Sequence, residues 1–232
     1  MEIKHDTVMI GKAKTDIRAE IDTQYEILSQ MIEDIANRYQ EDALHFEEFV
    51  NRMAEKDSDG DEDMKYTIQR SFDASLENQY SLISEARKII FCTIFSYFES
   101  MLHGLIDYYK ISTGKAKYVT QLIEAIKKDY KNRYSELFPD YGYTETIICT
   151  QYRILRNYFM HGKLAKDEDK ELLRSYAISS CGLGWYEWDK YLIESNSFLI
   201  VALDRINGFL VRIEEAYCKK EKECNWKNTI NS

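Results

Sequence analysis

Residues 86–110, ARKIIFCTIFSYFESMLHGLIDYYK, carry an apolar side chain at nearly every third or fourth position and contain no proline. Ile90, Ile94, Phe98, Met101, Leu102 and Leu105 fall on one broad face, the pattern of an amphipathic helix turned toward a core. A strand would need alternation with period two, which this stretch lacks. A helix so apolar belongs at the centre of a bundle. The rest of the chain agrees: one proline and nine glycines in 232 residues leave long uninterrupted segments, which favours helices. The predicted fold class is all-α, a helical bundle of four to five main helices with a long N-terminal helical extension.

Working upstream, the helical pattern of the central segment reaches back to about Met64. Before it, DSDGDED (57–63) breaks the periodicity. A calcium loop starting at Asp57 would need glycine at its sixth place and glutamate at its twelfth, where Glu62 and Ile68 stand. The segment therefore reads as a solvated linker. Residues 13 to about 56 form a first helical region, with Ile17, Ile21, Ile27 or Leu28, Met31, Ile35, Leu44, Phe46 and Phe49 as its apolar stripe. A long helix with so thin a stripe must pack on something. The expected division is 1–63 as extension and acidic linker, and 64–232 as the main helical domain.

Downstream, STGK (112–115) ends the central helix and a third helix follows at about 117–136. The proline lies in the loop LFPDYGY (137–143). A fourth helix is expected from about Glu145 to His161, with Thr144 as N-cap and Gly162 as stop. Aromatic and β-branched residues around Gly182 and Gly184 predict a short β-hairpin near 175–190. A last helix spans about 190–222, and the polar tail ECNWKNTINS is expected to fray.

The net charge of −9 argues against coating duplex nucleic acid through a general basic surface. Five cysteines (Cys92, Cys149, Cys181, Cys218, Cys224), scattered and without a CxxC pair, indicate neither a disulfide framework nor a zinc site. The first residues lack the apolar core of a secretory signal. The longest apolar run, IIFCTIF at 89–95, is far short of the roughly 20 residues that span a bilayer. A soluble cytoplasmic protein with no membrane partner and no cofactor is expected.

One stretch carries chemistry. In RILRNYFMHGK (153–163) a helical wheel puts Ile148, Tyr152, Leu155 and Phe159 on the core face. Arg153, Asn157 and His161 then succeed one another at i, i+4 and i+8 on the opposite side, with Arg156 on the flank. From Thr146 to Lys166 there is no acidic residue, while Arg153, Arg156, Lys163 and Lys166 are present. Such a cationic window in an acidic chain suits a phosphate. The alternative is structural, since arginine and histidine near a helix C-terminus complement its dipole.

Arg156-Asn157-Tyr158-Phe159-Met160-His161-Gly162 resembles the signature of the HEPN superfamily, all-α domains in which an arginine, usually followed by a polar residue, is separated from a histidine by four to six intervening residues, here four. YFESML (97–102) resembles the aromatic and glutamate segment that many such domains carry on an earlier helix, and the likeness spans about residues 64–222. It implies a metal-independent endoribonuclease that acts as a homodimer and cuts RNA by attack of its own 2′-hydroxyl. In that scheme His161 is the acid/base, Arg156 the phosphate clamp and Asn157 an orienting group. Glu99 would support Arg156 by a salt bridge, or would be a surface carboxylate one turn before His103. Arg153 is an auxiliary contact, and Lys163 and Lys166 bind substrate. The family's broader roles imply a toxin or phage-defence effector with an antitoxin or other regulatory protein. Lys163 stands where toxins silenced by nucleotidylation often place a tyrosine, so a different regulator, or none, is expected. The rival expectation is a non-catalytic helical module that binds a nucleotide or a protein partner.

Overall fold

The structure is a computed structural model that describes residues 16–162, 164, 166–186 and 190–230. Eight α-helices are described: α1 (Ile17–Asp57), α2 (Glu62–Ser71), α3 (Asp73–Tyr109), α4 (Val119–Tyr134), α5 (Gly142–Thr146), α6 (Arg153–His161), α7 (Asp167–Ser179) and α8 (Asn196–Ile230). A π turn (Ile147–Tyr152) joins α5 to α6, and strands β1 (Leu183–Tyr186) and β2 (Lys190–Ile193) pair antiparallel between α7 and α8.

Three long helices, α1, α3 and α8, pack on one another, and α4, α6 and β2 lie against α3. As the apolar pattern of 86–110 requires, Ile90, Ile94, Phe98, Met101, Leu102 and Leu105 are all buried. Burying such a side chain is worth about 1.5–3 kcal/mol, so α3 is the axis on which the bundle condenses. By length and composition α3 could cross a bilayer, but 56% of its most apolar window is buried inside the protein, which makes it a core helix.

The acidic segment 57–63 terminates one helix and caps the next. Asp61 Oδ1 accepts from the backbone N–H groups of Asp63 (2.9 Å) and Met64 (3.2 Å), satisfying orphan donors of α2. Among the described residues no group of acidic, His or Cys side chains could hold a metal ion. The region set apart as an extension shares its core with the rest, because Ile17, Ile21, Leu28 and Ile32 of α1 join the cluster built on α3 and α8.

Several local expectations are corrected. On α1, Leu28 is buried and Ile27 exposed; further along, Ala43, Val50 and Ala54 face inward while Leu44 and Phe49 face solvent. Small residues there let α1 approach its neighbours closely, a role hydropathy alone hides. The segment from Met64 to Ile111 is broken at Phe72 into α2 and α3. The helix expected from Glu145 begins at Gly142, whose N–H donates to Asp140 Oδ1 (2.8 Å), so Thr144 lies inside it and not at its cap. Residues 175–179 belong to α7, and the hairpin is displaced to 183–193. Accordingly the last helix starts at Asn196, not 190, and runs to Ile230 through most of the tail expected to fray.

Candidate functional site

Helix α6 is seated by aromatic rings. Phe91 of α3 meets Tyr152 edge-on at 5.6 Å and Phe159 at 5.9 Å, and Ile154 and Leu155 are buried beside them. The opposite face is thereby turned outward. Arg153, Ile154, Asn157, Tyr158 and His161 line a cleft of about 400 Å³, closed on its other side by Leu164, Lys166 and Asp169. The i, i+4, i+8 alignment read from the sequence therefore lies along one wall of one cavity. α7 leads away from the opposite wall.

The π turn prepares the first of these residues. Its wide turn frees carbonyls from regular pairing, and side chains serve them. Arg153 Nε donates to Cys149 O at 3.0 Å. The amide of Gln151, oriented by its hydrogen bonds, donates to Thr146 O (2.8 Å) and Ile147 O (3.2 Å). Arg153 is thus held at its inner nitrogen, and the outer nitrogens of its planar fork remain for a ligand.

Arg156 does not line the cleft. Its Nη1 donates to Asn157 Oδ1 at 3.2 Å, and its Nε is buried without a partner. It lies against α3, where burial pushes the Cys92 thiol up and the Arg156 guanidinium partly offsets that rise. With its oxygen taken by Arg156, the Asn157 amide has its two N–H groups left to donate. Of the two arginines it is therefore Arg153 that lines the cleft, while Arg156 touches it only through its hydrogen bond to Asn157.

His161 ends α6 on the exposed rim, and Gly162 stops the helix in the left-handed region (φ 71°), its N–H donating to Tyr158 O at 2.7 Å. Tyr158 is fixed by the hairpin: its hydroxyl accepts from Tyr191 N (3.3 Å) and the two rings meet edge-to-face at 5.3 Å. Glu99 is half-buried on α3 and makes no ion pair with Arg156. Lys163 lies outside the described residues. Of the expected site residues, the fold brings Arg153, Asn157, His161 and Lys166 to one cavity.

Asp169, a lining residue that sequence reasoning missed, alters the electrostatics. It comes from the first turn of α7, a helix absent from the expected elements. Its signal was present, three acidic residues at 167–169 ahead of Leu173, Tyr176 and Ala177 at helical spacing. Among the described residues the cleft is consequently cationic with one carboxylate rather than uniformly basic. No protein-family model, no curated protein and no solved structure matches the chain.

Proposed function

We propose that the chain is a metal-independent endoribonuclease with a HEPN-like bundle, acting as a homodimer on RNA through the cleft between α6 and α7. The observation that carries this reading is that Arg153, Asn157 and His161 share one open cavity with Lys166. Those groups match the needs of 2′-hydroxyl attack on a phosphodiester: a base for the hydroxyl proton, an acid for the departing 5′-oxygen, and donors for the phosphorane oxygens.

His161 takes the 2′-hydroxyl proton, the 2′-oxygen bonds to phosphorus, and the bond to the 5′-oxygen breaks, leaving a 2′,3′-cyclic phosphate. The leaving oxygen receives its proton from a second imidazole, which one chain cannot supply at the far side of the phosphorus. His161 of a second copy supplies it, which is why the exposed rim position of the residue fits a twofold pair. Arg153 and Lys166 offset the developing charge, and Asn157 donates from the amide that Arg156 orients. Control by a separate regulatory protein, and a role in toxicity or defence, extend the same proposal.

The test is incubation of mixed RNA with wild type, His161→Ala and Arg153→Ala in chelator, reading fragment length and end chemistry. Cyclic or 3′-phosphate ends from wild type, lost in His161→Ala with an unchanged fold and assembly, support the proposal. Cleavage by His161→Ala at the wild-type rate refutes it.

Asp169 favours a second reading, a non-catalytic module that holds a nucleotide or a protein partner through charges of both signs. RNA left intact under all conditions, together with a retained nucleotide or co-purified protein, supports that reading.

A further inference from the structure

The α6–α7 cleft contains a carboxylate that no side chain among the described residues pairs with. Asp169 is half-buried among the lining residues and, among the described residues, pairs with no cation and accepts no hydrogen bond. Its neighbour Asp167, fully exposed, does pair, with Lys170 at 3.2 Å. Arg153 and Lys166 line the same cleft, and neither forms an ion pair with Asp169. A partly desolvated carboxylate without donors is unfavourable until something donates to it. Since an ionised carboxylate can only accept, its complement is a ligand group bearing N–H or O–H.

The walls specify the shape of that ligand. Ile154 is buried in the floor, Leu164 is half-buried, and the Tyr158 ring is held by its two contacts to Tyr191. A fixed aromatic ring beside aliphatic side chains is a stacking platform for a flat heterocycle. Cations for a phosphate, a ring for a base face and a carboxylate for a base edge are the three parts of a nucleotide site.

Resting on the reading of this cleft as an RNA site, we infer that Asp169 selects guanine at the nucleotide bound there, accepting from its N1–H and N2–H groups. Guanine presents those two donors side by side on its Watson–Crick edge, matching the two oxygens of a carboxylate as an arginine fork does. Adenine and cytosine each place an acceptor nitrogen next to their amino group, and uracil flanks its single N–H with carbonyls. All three set a lone pair against the carboxylate. Asp169 is thus a specificity-determining residue, while the cationic wall binds every nucleotide alike.

The experiment titrates wild type and Asp169→Asn with 5′-GMP, 5′-IMP, 5′-AMP, 5′-CMP and 5′-UMP by amide chemical-shift changes, and in parallel maps cut sites on a defined RNA. Wild type is expected to bind GMP about tenfold more tightly than AMP, with IMP, which lacks the N2 amine, in between. In Asp169→Asn that preference collapses to about twofold or less. The wild-type ranking requires no variant to fold. Equal binding of all five nucleotides, no nucleotide binding, or a guanine preference that survives in Asp169→Asn overturns the inference. A guanine preference in a protein that leaves RNA intact upholds base selection and removes the nuclease. Cleavage without base preference does the reverse.

Discussion

Phe91 ties the candidate cleft to the core, and its truncation measures how firmly. The side chain is 0% exposed and meets three rings: Tyr152 of the π turn at 5.6 Å, Phe159 of α6 at 5.9 Å and Phe198 of α8 at 5.5 Å. Truncating a buried phenylalanine costs about 3–5 kcal/mol, and each lost aromatic pair carries about 0.5–1.5 kcal/mol of that value. With three such pairs, Phe91→Ala is expected to lose about 4 kcal/mol. In a chain of this size each kcal/mol moves Tm by about 2–4 °C, so the expected fall is about 8–16 °C. Thermal and urea unfolding followed by circular dichroism measure it, with Leu82→Ala, half-exposed on the same helix, as a control expected within about 1 kcal/mol of wild type. A double-mutant cycle with Phe159→Ala isolates the contact that seats α6, with an expected coupling of about 0.5–1.5 kcal/mol. A Phe91→Ala melt within about 3 °C of wild type, or strict additivity in the cycle, refutes the view that this ring positions the cleft.

Gly162→Ala, at φ 71° with open space around the missing Cβ, should cost about 1 kcal/mol from backbone strain alone. Gly182→Ala should cost more, since at φ 79° its Cβ would also collide with Ser195 Oγ; equal thermal shifts for the two would contradict this. Burial, reinforced by Glu145, pushes the Cys149 thiol from 9.0 up to about 12, and burial likewise takes the Tyr141 phenol from 10.0 to about 12. Both folded values are raised, so the stability they confer is complete below about pH 9 and declines as pH climbs toward 12. Urea titrations across that alkaline range should show the decline, less steeply in Cys149→Ala. A disulfide-exchange probe at mildly alkaline pH should label exposed Cys181 well before Cys149. Arg153→Lys keeps the charge but loses the donor to Cys149 O, so it should be less stable by about 1 kcal/mol and bind RNA more weakly; wild-type behaviour on both counts would mean that the anchored fork has no consequence.

What was legible in the sequence was what hydrophobic periodicity encodes directly. All six residues named on the face of 86–110 are buried, and Arg153, Asn157 and His161 share a wall as their spacing requires. The errors have separate causes. On α1 the inward residues beyond Gln40 include Ala43 and Ala54, whose small side chains leave little trace in a search for large apolar ones. The π turn left no pattern, because its support comes from the side chains of Gln151 and Arg153 serving carbonyls four or five residues back. α7 escaped because the aromatic and glycine residues after it drew its last turn into the predicted hairpin. That single omission hid Asp169, and with it the mixed charge of the cleft. Arg156, named from a resemblance, turned inward toward Cys92 and Asn157, a choice made by packing against α3 and not by helical spacing.

A net charge of −9 and the polyanionic substrate proposed above are compatible only if binding is decided at short range. At physiological ionic strength the Debye length is about 8 Å, so acids on remote helices are screened while Arg153 and Lys166, lining the cleft itself, are not. Two described cations per cleft can neutralise about two phosphates, which for a single strand gives a slope of log K against log salt of about −1.4. A dimer engaging one RNA through both clefts doubles that to about −3. Fluorescence anisotropy with a short single-stranded RNA over a range of salt therefore reads the number of clefts in use. Lys166→Gln should flatten the dimer slope by about 1.4, because each cleft loses one contact. A slope near −6 or steeper would place binding on a surface other than this cleft, and an Arg153→Gln variant with an unchanged slope would exclude the cleft outright.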